Sequence, residues 1–384
     1  MKKILPILLC MIFAIGLTGT ACNKGGLKMK ILGNNLKDYT VVYGKYEYED
    51  AMKADLSAAS YTEWDFNRLI AEEFVAKINE KFGVTLEIKK DTESTETQKE
   101  ILIGKTNRVS LTDQPIFTPY DYSVGVKNNK LFFYGGCYGT TYAATKYFLD
   151  YLADENNYTK KVANIDADFS LQGTHDLITI ACIGASNTEG YHPENKFANV
   201  NYWSYPATLQ RLNWKTTYVY NFGSSGKTMR TDISGASYQA TQKWSDCVAH
   251  AENFDYVFIK LGTNDFIKDK TTWTDAKKTN FVNSFDNMLT SLSSENPNIK
   301  YTLLNFWTPL TEVYNSKIDE LLNVCYNNAL AKNYNIKFHN LASNIKNDLG
   351  PSQFSSDNLH FSSKGYCKFG DLVDKKVLQN LWNI

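Results

Sequence analysis

The sequence predicts an α/β protein in two parts: a C-terminal parallel sheet covered by helices on both faces, and a smaller α/β domain ahead of it. Three observations carry this prediction. The chain has 384 residues, too many for one ordinary core and suited to about two domains. From about Asp176 onward, short continuous apolar runs alternate with helical patterns, the signature of parallel strands buried on both faces. Between about Lys30 and Asp168, strands and a long helix alternate around one hairpin signal.

The chain opens with "MKKILPILLCMIFAIGLTGTAC", two lysines, then an apolar run, then small residues, which is the layout of an export signal over residues 1–22. Cleavage before Cys22 would follow the bacterial lipoprotein pattern and leave a lipid-bearing cysteine, although Gly19 stands where such signals usually carry leucine. An uncleaved anchor is the alternative, and the apolar run is short for a span. The next segment, "NKGGLKMK", reads as a polar linker.

In the small domain, 30–168, "YTVVYGKYEY", "VTLEIKK" and "EILIGKT" have the content of strands. From Phe66, apolar Ile70, Phe74, Ile78 and Phe82 recur every fourth residue, with Leu69 and Val75 alongside. That spacing predicts a helix, with Thr62 as its cap. The stretch "YSVGVKNNKLFFYGG" predicts a hairpin turning at Asn128 and Asn129, followed by a helix from about Thr140 to Leu152. The glycines of "YGGCYGTTYAA" raise the question of a phosphate cradle, but neither the G-x-G-x-x-G spacing nor a Walker lysine is present, so a tight strand-to-helix turn is expected. Together, "EILIGKTNR" and "YDYSVGVKNNKLFFYGGCYGTTYAATKYFLDYL" resemble the accessory domain that precedes the catalytic domain of α-glucuronidase-type glycoside hydrolases. The resemblance implies a carbohydrate setting and assigns no binding site.

Composition narrows the function. Lys plus Arg and Asp plus Glu both number 41, so the chain lacks the basic field that gathers nucleic acid. Aromatic residues make up 14%, with 25 tyrosines, which suits stacking on sugar rings and equally suits plain packing. Beyond the signal, Cys137, Cys182, Cys247, Cys325 and Cys367 are scattered, without a C-x-x-C pair. Neither a zinc site nor a full disulfide framework is indicated. Cys182, inside an apolar run, is expected to act as a small core residue.

In the second half, 176–384, strands are expected at "LITIACIG", "TTYVYNFG", "DYVFIKLG", "KYTLLNFW" and "NIKFHN". Helical stretches lie between them at "SYPATLQRLN", "KTNFVNSFDNMLTSLSS" and "NSKIDELLNVCYNNALAKN". Sites in such folds gather beyond the carboxyl ends of the strands. Four chain positions at that edge carry unusual residues: "GASNTEG" with Ser186, "NFGSSGKT" with Gly226, "LGTND" with Asn264, and "DNLHFSSKGY" with Asp357 and His360.

A serine held at a strand-to-helix turn is either a helix cap or an exposed nucleophile. Asp357 and His360, three apart, either cap and decorate the last helix or form a base with its orienter, the pair a serine hydroxyl needs near neutral pH. Gly226 can bring a backbone N–H close to a ligand, Asn264 offers a side-chain amide, and Ser186 offers its own N–H. Taken singly, Gly226 is as well explained by a turn and Asn264 by a cap.

This ordered set resembles the SGNH, or GDSL, hydrolase family, named for Ser, Gly, Asn and His in four blocks. The resemblance covers the second half of the chain. It implies a flavodoxin-like three-layer sheet and a serine esterase without metal or organic cofactor. Carried over by position, Ser186 is the nucleophile, His360 the base and Asp357 its orienter. Ser186, Gly226 and Asn264 form the oxyanion hole. Ala185 departs from the family's usual aspartate, which is expected to alter support of the loop more than the chemistry. Of the other histidines, His339 alone approaches this edge, while His175, His192 and His250 sit in loop or helix-end contexts. Asp265 is expected to anchor its loop, and Trp203, Tyr205 and Trp307 to pack.

Export, an accessory domain of glycoside-hydrolase appearance and the aromatic content favour an O-deacetylase acting on a polysaccharide or glycan at the cell surface or outside the cell. The expected partners are an ester-bearing small molecule or an acetylated polysaccharide, and the membrane only through lipid at Cys22. Two alternatives stand beside it: a glycan-binding lipoprotein that has lost activity, with Ala185 in its favour, and an esterase for lipid or short-chain acyl groups.

Overall fold

The computed structural model describes residues 26–45, 65–108, 118–194, 203–269 and 273–384. The expected export segment with Cys22 lies outside these, as does Thr62. Among the described residues, the first part of the chain supplies nine strands: β1 (Lys28–Ile31), β2 (Asn34–Asn35), β3 (Thr40–Tyr43), β4 (Glu87–Lys90), β5 (Glu100–Ile103), β6 (Asp121–Lys127), β7 (Lys130–Gly135), β8 (Val162–Ile165) and β9 (Ser170–Thr174). Six of them form a mixed sheet in the order β4-β3-β5-β7-β6-β9, and the others a small sheet, β2-β1-β8. The helices Phe66–Phe82 and Tyr138–Ala153 bury Phe74, Ile78 and Phe148 against Phe133 of β7.

The predicted hairpin is present. Asn128 and Asn129 have φ of 51° and 64° between β6 and β7, the left-handed pair that a two-residue turn of matching twist requires. Three expectations need correction. The first helix is capped by Asp65, whose carboxylate accepts from the Arg68 N–H, so Thr62 is not its cap. Lys28–Lys30, expected in a polar linker, lie in β1 and pair in parallel with β8. The sheet also takes in Ser170–Thr174, beyond the limit expected at Asp168.

The second part carries β10 (Ile178–Gly184), β11 (Thr217–Gly223), β12 (Tyr256–Lys260), β13 (Lys300–Asn305) and β14 (Ile336–Asn340). They form one all-parallel sheet in the order β11-β10-β12-β13-β14, the doubly wound order of flavodoxin-like folds. Strand β10 shows why these runs are continuously apolar. Ala181 and Ile183 pack beneath Phe281 and Met288 of the helix Asp275–Glu295, while Ile180 and Cys182 pack against Tyr205 and Phe369 on the opposite face. Cys182 is fully buried and burial pushes its thiol up to about 12, the behaviour of a core residue.

The two parts are joined by a dense seam. Trp214 stacks on Phe66 at 5.1 Å and meets Tyr142 edge-on at 5.7 Å. Lys215 reaches Glu73 at 2.8 Å, and Tyr120 and Thr179 share a hydrogen bond of 3.0 Å.

Candidate active site

Strand β10 ends at Gly184, and the chain turns at once into a single helical turn, Ser186–Glu189. A Cβ at Gly184 would lie 2.0 Å from Thr188 Oγ1 and 2.8 Å from the Lys260 carbonyl oxygen, so only glycine permits a turn this tight. Ser186 is thereby lifted to the carboxyl edge of the sheet, where β10 lies between β11 and β12. Its side chain is nevertheless buried.

The loop before the helix Ser363–Val373 brings His360 to it. Asp357 Oδ1 accepts the backbone N–H groups of Leu359 and His360, each at 3.0 Å, and fixes the loop. Its Oδ2 then lies 2.6 Å from His360 Nδ1, and His360 Nε2 lies 2.8 Å from Ser186 Oγ. Tyr191 meets the imidazole edge-on at 4.7 Å. With Nδ1–H donating to the carboxylate, Nε2 is left to accept the serine proton. Burial, first, lowers the His360 pKa; Asp357 opposes this, and the charges of Lys260 and His192 add to it. Burial pushes the Asp357 carboxyl up, but the N–H groups of His360 and Leu359 and the imidazole outweigh it, and the net direction is down.

Asn264 opens the short helix Thr263–Lys268 and is buried beside the serine. Together with Ser186, Asn187, Lys260 and Leu359 it lines a narrow cleft. One of its amide hydrogens goes to the Lys227 carbonyl at 2.9 Å, leaving the second for another acceptor. Gly226, with φ of 72°, occupies the turn after β11. That turn is tied to the serine loop twice: Ser224 N–H donates to the Gly184 carbonyl at 2.9 Å, and Ser225 N–H to Glu189 Oε2 at 2.7 Å. Gly226 therefore sits at the same edge, although it does not line the cleft that Ser186 and Asn264 share. Asp265 anchors the arrangement from below by accepting the N–H groups of Met229 and Arg230, both at 2.9 Å.

Several residues of this edge escaped the sequence reading. Asn187 donates to the Leu359 carbonyl at 3.0 Å and accepts from Tyr366 OH at 3.2 Å, clamping the serine loop to the histidine loop. Glu189 supports the turn where Ala185 supplies no carboxylate; Ala185 itself packs into the core. Lys260 is a lone charge in an otherwise apolar strand, a signal that was present in "YVFIK". The remaining histidines stand apart from this relay. His339 is half-buried at the end of β14, His175 bonds Tyr147, His192 pairs with Glu194, and His250 bonds the Asp246 carbonyl. Trp203, Tyr205 and Trp307 are buried packing residues.

Residues 180–373, about half of the chain, match the family described as GDSL-like lipase/acylhydrolase. The chain belongs to the GDSL-like family. Its second half is thus of the carboxylic-ester hydrolase type, and the strand order described above is that of the SGNH fold. An acetylxylan esterase from Xylanibacter ruminicola is 33% identical over 120 residues, which is 31% of this GDSL-like chain and only 22% of the relative's length. Among solved structures, a carbohydrate acetylesterase from Sinorhizobium meliloti is 16% identical with a TM-score of 0.37, covering 52% of this chain and 98% of that one. A lipase/acylhydrolase from Enterococcus faecalis is 20% identical with a TM-score of 0.39, covering 52% and 95%.

Proposed function

We propose that this GDSL-like protein is an exported serine esterase that removes acetyl groups from a polysaccharide or glycan. The observation that carries the catalytic part is the unbroken relay from Asp357 through His360 to Ser186, at 2.6 and 2.8 Å. Ser186 Oγ attacks the ester carbonyl and passes its proton to His360 Nε2, which returns it to the departing alcohol. Asp357 holds the imidazole in the required tautomer. The oxyanion is received by the N–H groups of Ser186 and Gly226 and by the free amide hydrogen of Asn264. Water then cleaves the acyl-enzyme by the reverse path.

The choice of acetyl and of a carbohydrate is supported by the small cleft at the serine, by the partial match to an acetylxylan esterase, and by the leading segment 1–22, read as an export signal with lipid on Cys22. We assign the first part, whose sheets run from Lys28 to Thr174 and so beyond the expected 30–168, to an accessory domain of α-glucuronidase type, and 176–384 to the hydrolase. Purified protein releases acetate from acetylated xylan and nitrophenol from p-nitrophenyl acetate on this reading, and Ser186→Ala abolishes both. Equal rates for mutant and wild type exclude Ser186 as nucleophile. A preference for long acyl chains across a series of nitrophenyl esters excludes the deacetylase reading while leaving the esterase intact.

A further inference from the structure

Strand β12 ends on Lys260, and three facts about it stand out. Its side chain is buried, and its Nζ lies 3.5 Å from the centroid of the Phe306 ring, within cation–π range. No carboxylate partners it among the described residues. It lines the cleft that also holds Ser186 and Asn264, the serine and the amide donor of the proposed reaction. A buried cation without a counter-ion is costly, and folds retain one only where something else meets it.

We propose that Lys260 is a further electrostatic residue of this site, and that its missing counter-charge is the negative charge that develops on the carboxyl oxygens of the reacting ester. The inference rests on the serine-esterase reading above. As the Oγ–carbon bond forms, the carbonyl π pair moves to oxygen and the serine proton moves to His360 Nε2. Lys260 gains and loses nothing in this exchange; its charge is set against the developing anion at an edge where Ser186, Asn264 and His360 are all buried.

The carboxylates of this edge have other partners. Asp357 is spent on His360 and two backbone N–H groups, Glu189 on the Ser225 N–H, and Glu194 on His192. The residue that follows β13 sets the Phe306 ring against the amine. Burial lowers the amine to about 7, so Lys260 is charged at pH 6 and neutral at pH 9.

The test uses the full chain and Lys260→Met, which keeps the length of the side chain and removes the amine. With p-nitrophenyl acetate at pH 6, kcat is expected to fall about tenfold or more while KM stays within about threefold, and the deficit shrinks at pH 9. Sodium acetate, whose carboxylate stands for the reacting oxygens, is expected to inhibit the variant about tenfold more weakly than wild type at pH 6. Wild-type kcat at pH 6, a loss equal at both pH values, or unchanged acetate inhibition each overturns the proposal. Circular dichroism melting checks the fold, with Lys260→Gln as the second variant; failure of both to fold assigns the lysine to structure and also overturns it. Ser186→Ala, assayed alongside, separates the two readings: activity in that variant removes the esterase mechanism, whereas a silent Lys260→Met beside a dead Ser186→Ala removes only the lysine.

Discussion

Replacing Asp357 by asparagine probes the relay through one proton. In the native loop, Oδ1 is occupied by the Leu359 and His360 N–H groups and Oδ2 by the imidazole. The amide of asparagine has one oxygen, and the two backbone donors hold it at the Oδ1 position. The NH2 group then falls where Oδ2 was, 2.6 Å from His360 Nδ1 in the native protein. A donor facing Nδ1 moves the ring proton to Nε2, which now points at Ser186 with a hydrogen instead of a lone pair. The serine has lost its base without any change of shape. The same tautomer error in serine proteases costs about 10⁴-fold in kcat, or about 5.4 kcal/mol of barrier. The Asp357 side chain is 34% exposed, so water can ease the misfit, and a loss of roughly 10³ to 10⁴ is expected with KM nearly unchanged. Steady-state hydrolysis of p-nitrophenyl acetate measures it, with a thermal melt to show that the loop still folds. A folded Asp357→Asn protein keeping more than about a tenth of wild-type kcat would refute the tautomer argument.

Other outcomes follow from the same geometry. Asn264→Ala removes one donor of the proposed oxyanion hole and its tie to Lys227, and kcat should fall by about 10² to 10³, read in the same assay. Because burial lowers the His360 pKa, and the base works only when unprotonated, the acid limb of kcat/KM should lie below the ordinary histidine value near 6.5. A limb at or above that value in a pH–rate profile contradicts the environment described for the imidazole. Trp214→Ala empties the seam beside Phe66 and Tyr142 and should destabilise the protein by about 3 to 5 kcal/mol, seen in denaturant unfolding, while kcat in the folded protein is preserved.

Much of this architecture was legible because local pattern and global fold agree. Each strand of the parallel sheet is buried on two faces and so reads as an unbroken apolar run, as "LITIACIG" does, and the paired asparagines dictate their turn by φ alone. What stayed hidden depends on partners remote in sequence. Strand β1 is a four-residue segment, half of it lysine, made a strand by β8, about 130 residues away, and β9 is an exposed edge that pairs with β6 among the described residues. The relay was visible because Asp357 and His360 are close in sequence and Ser186 sits at a strand end. Asn187 and Lys260 were not singled out, since sequence does not say whether a residue at a strand end turns toward the core or toward the cleft. Asp65 won over Thr62 as cap because the first turn of that helix begins where the buried Phe66 packs.

The seam has one more consequence. Trp214, Lys215 and Thr179 stand where β10 and β11 begin, whereas Ser186 stands where β10 ends, so those contacts and the reacting bond are separated by the length of a seven-residue strand, about 23 Å. A substrate held at the hydroxyl meets no wall from these seam residues. At this point the smaller part meets the parallel sheet at the end opposite Ser186.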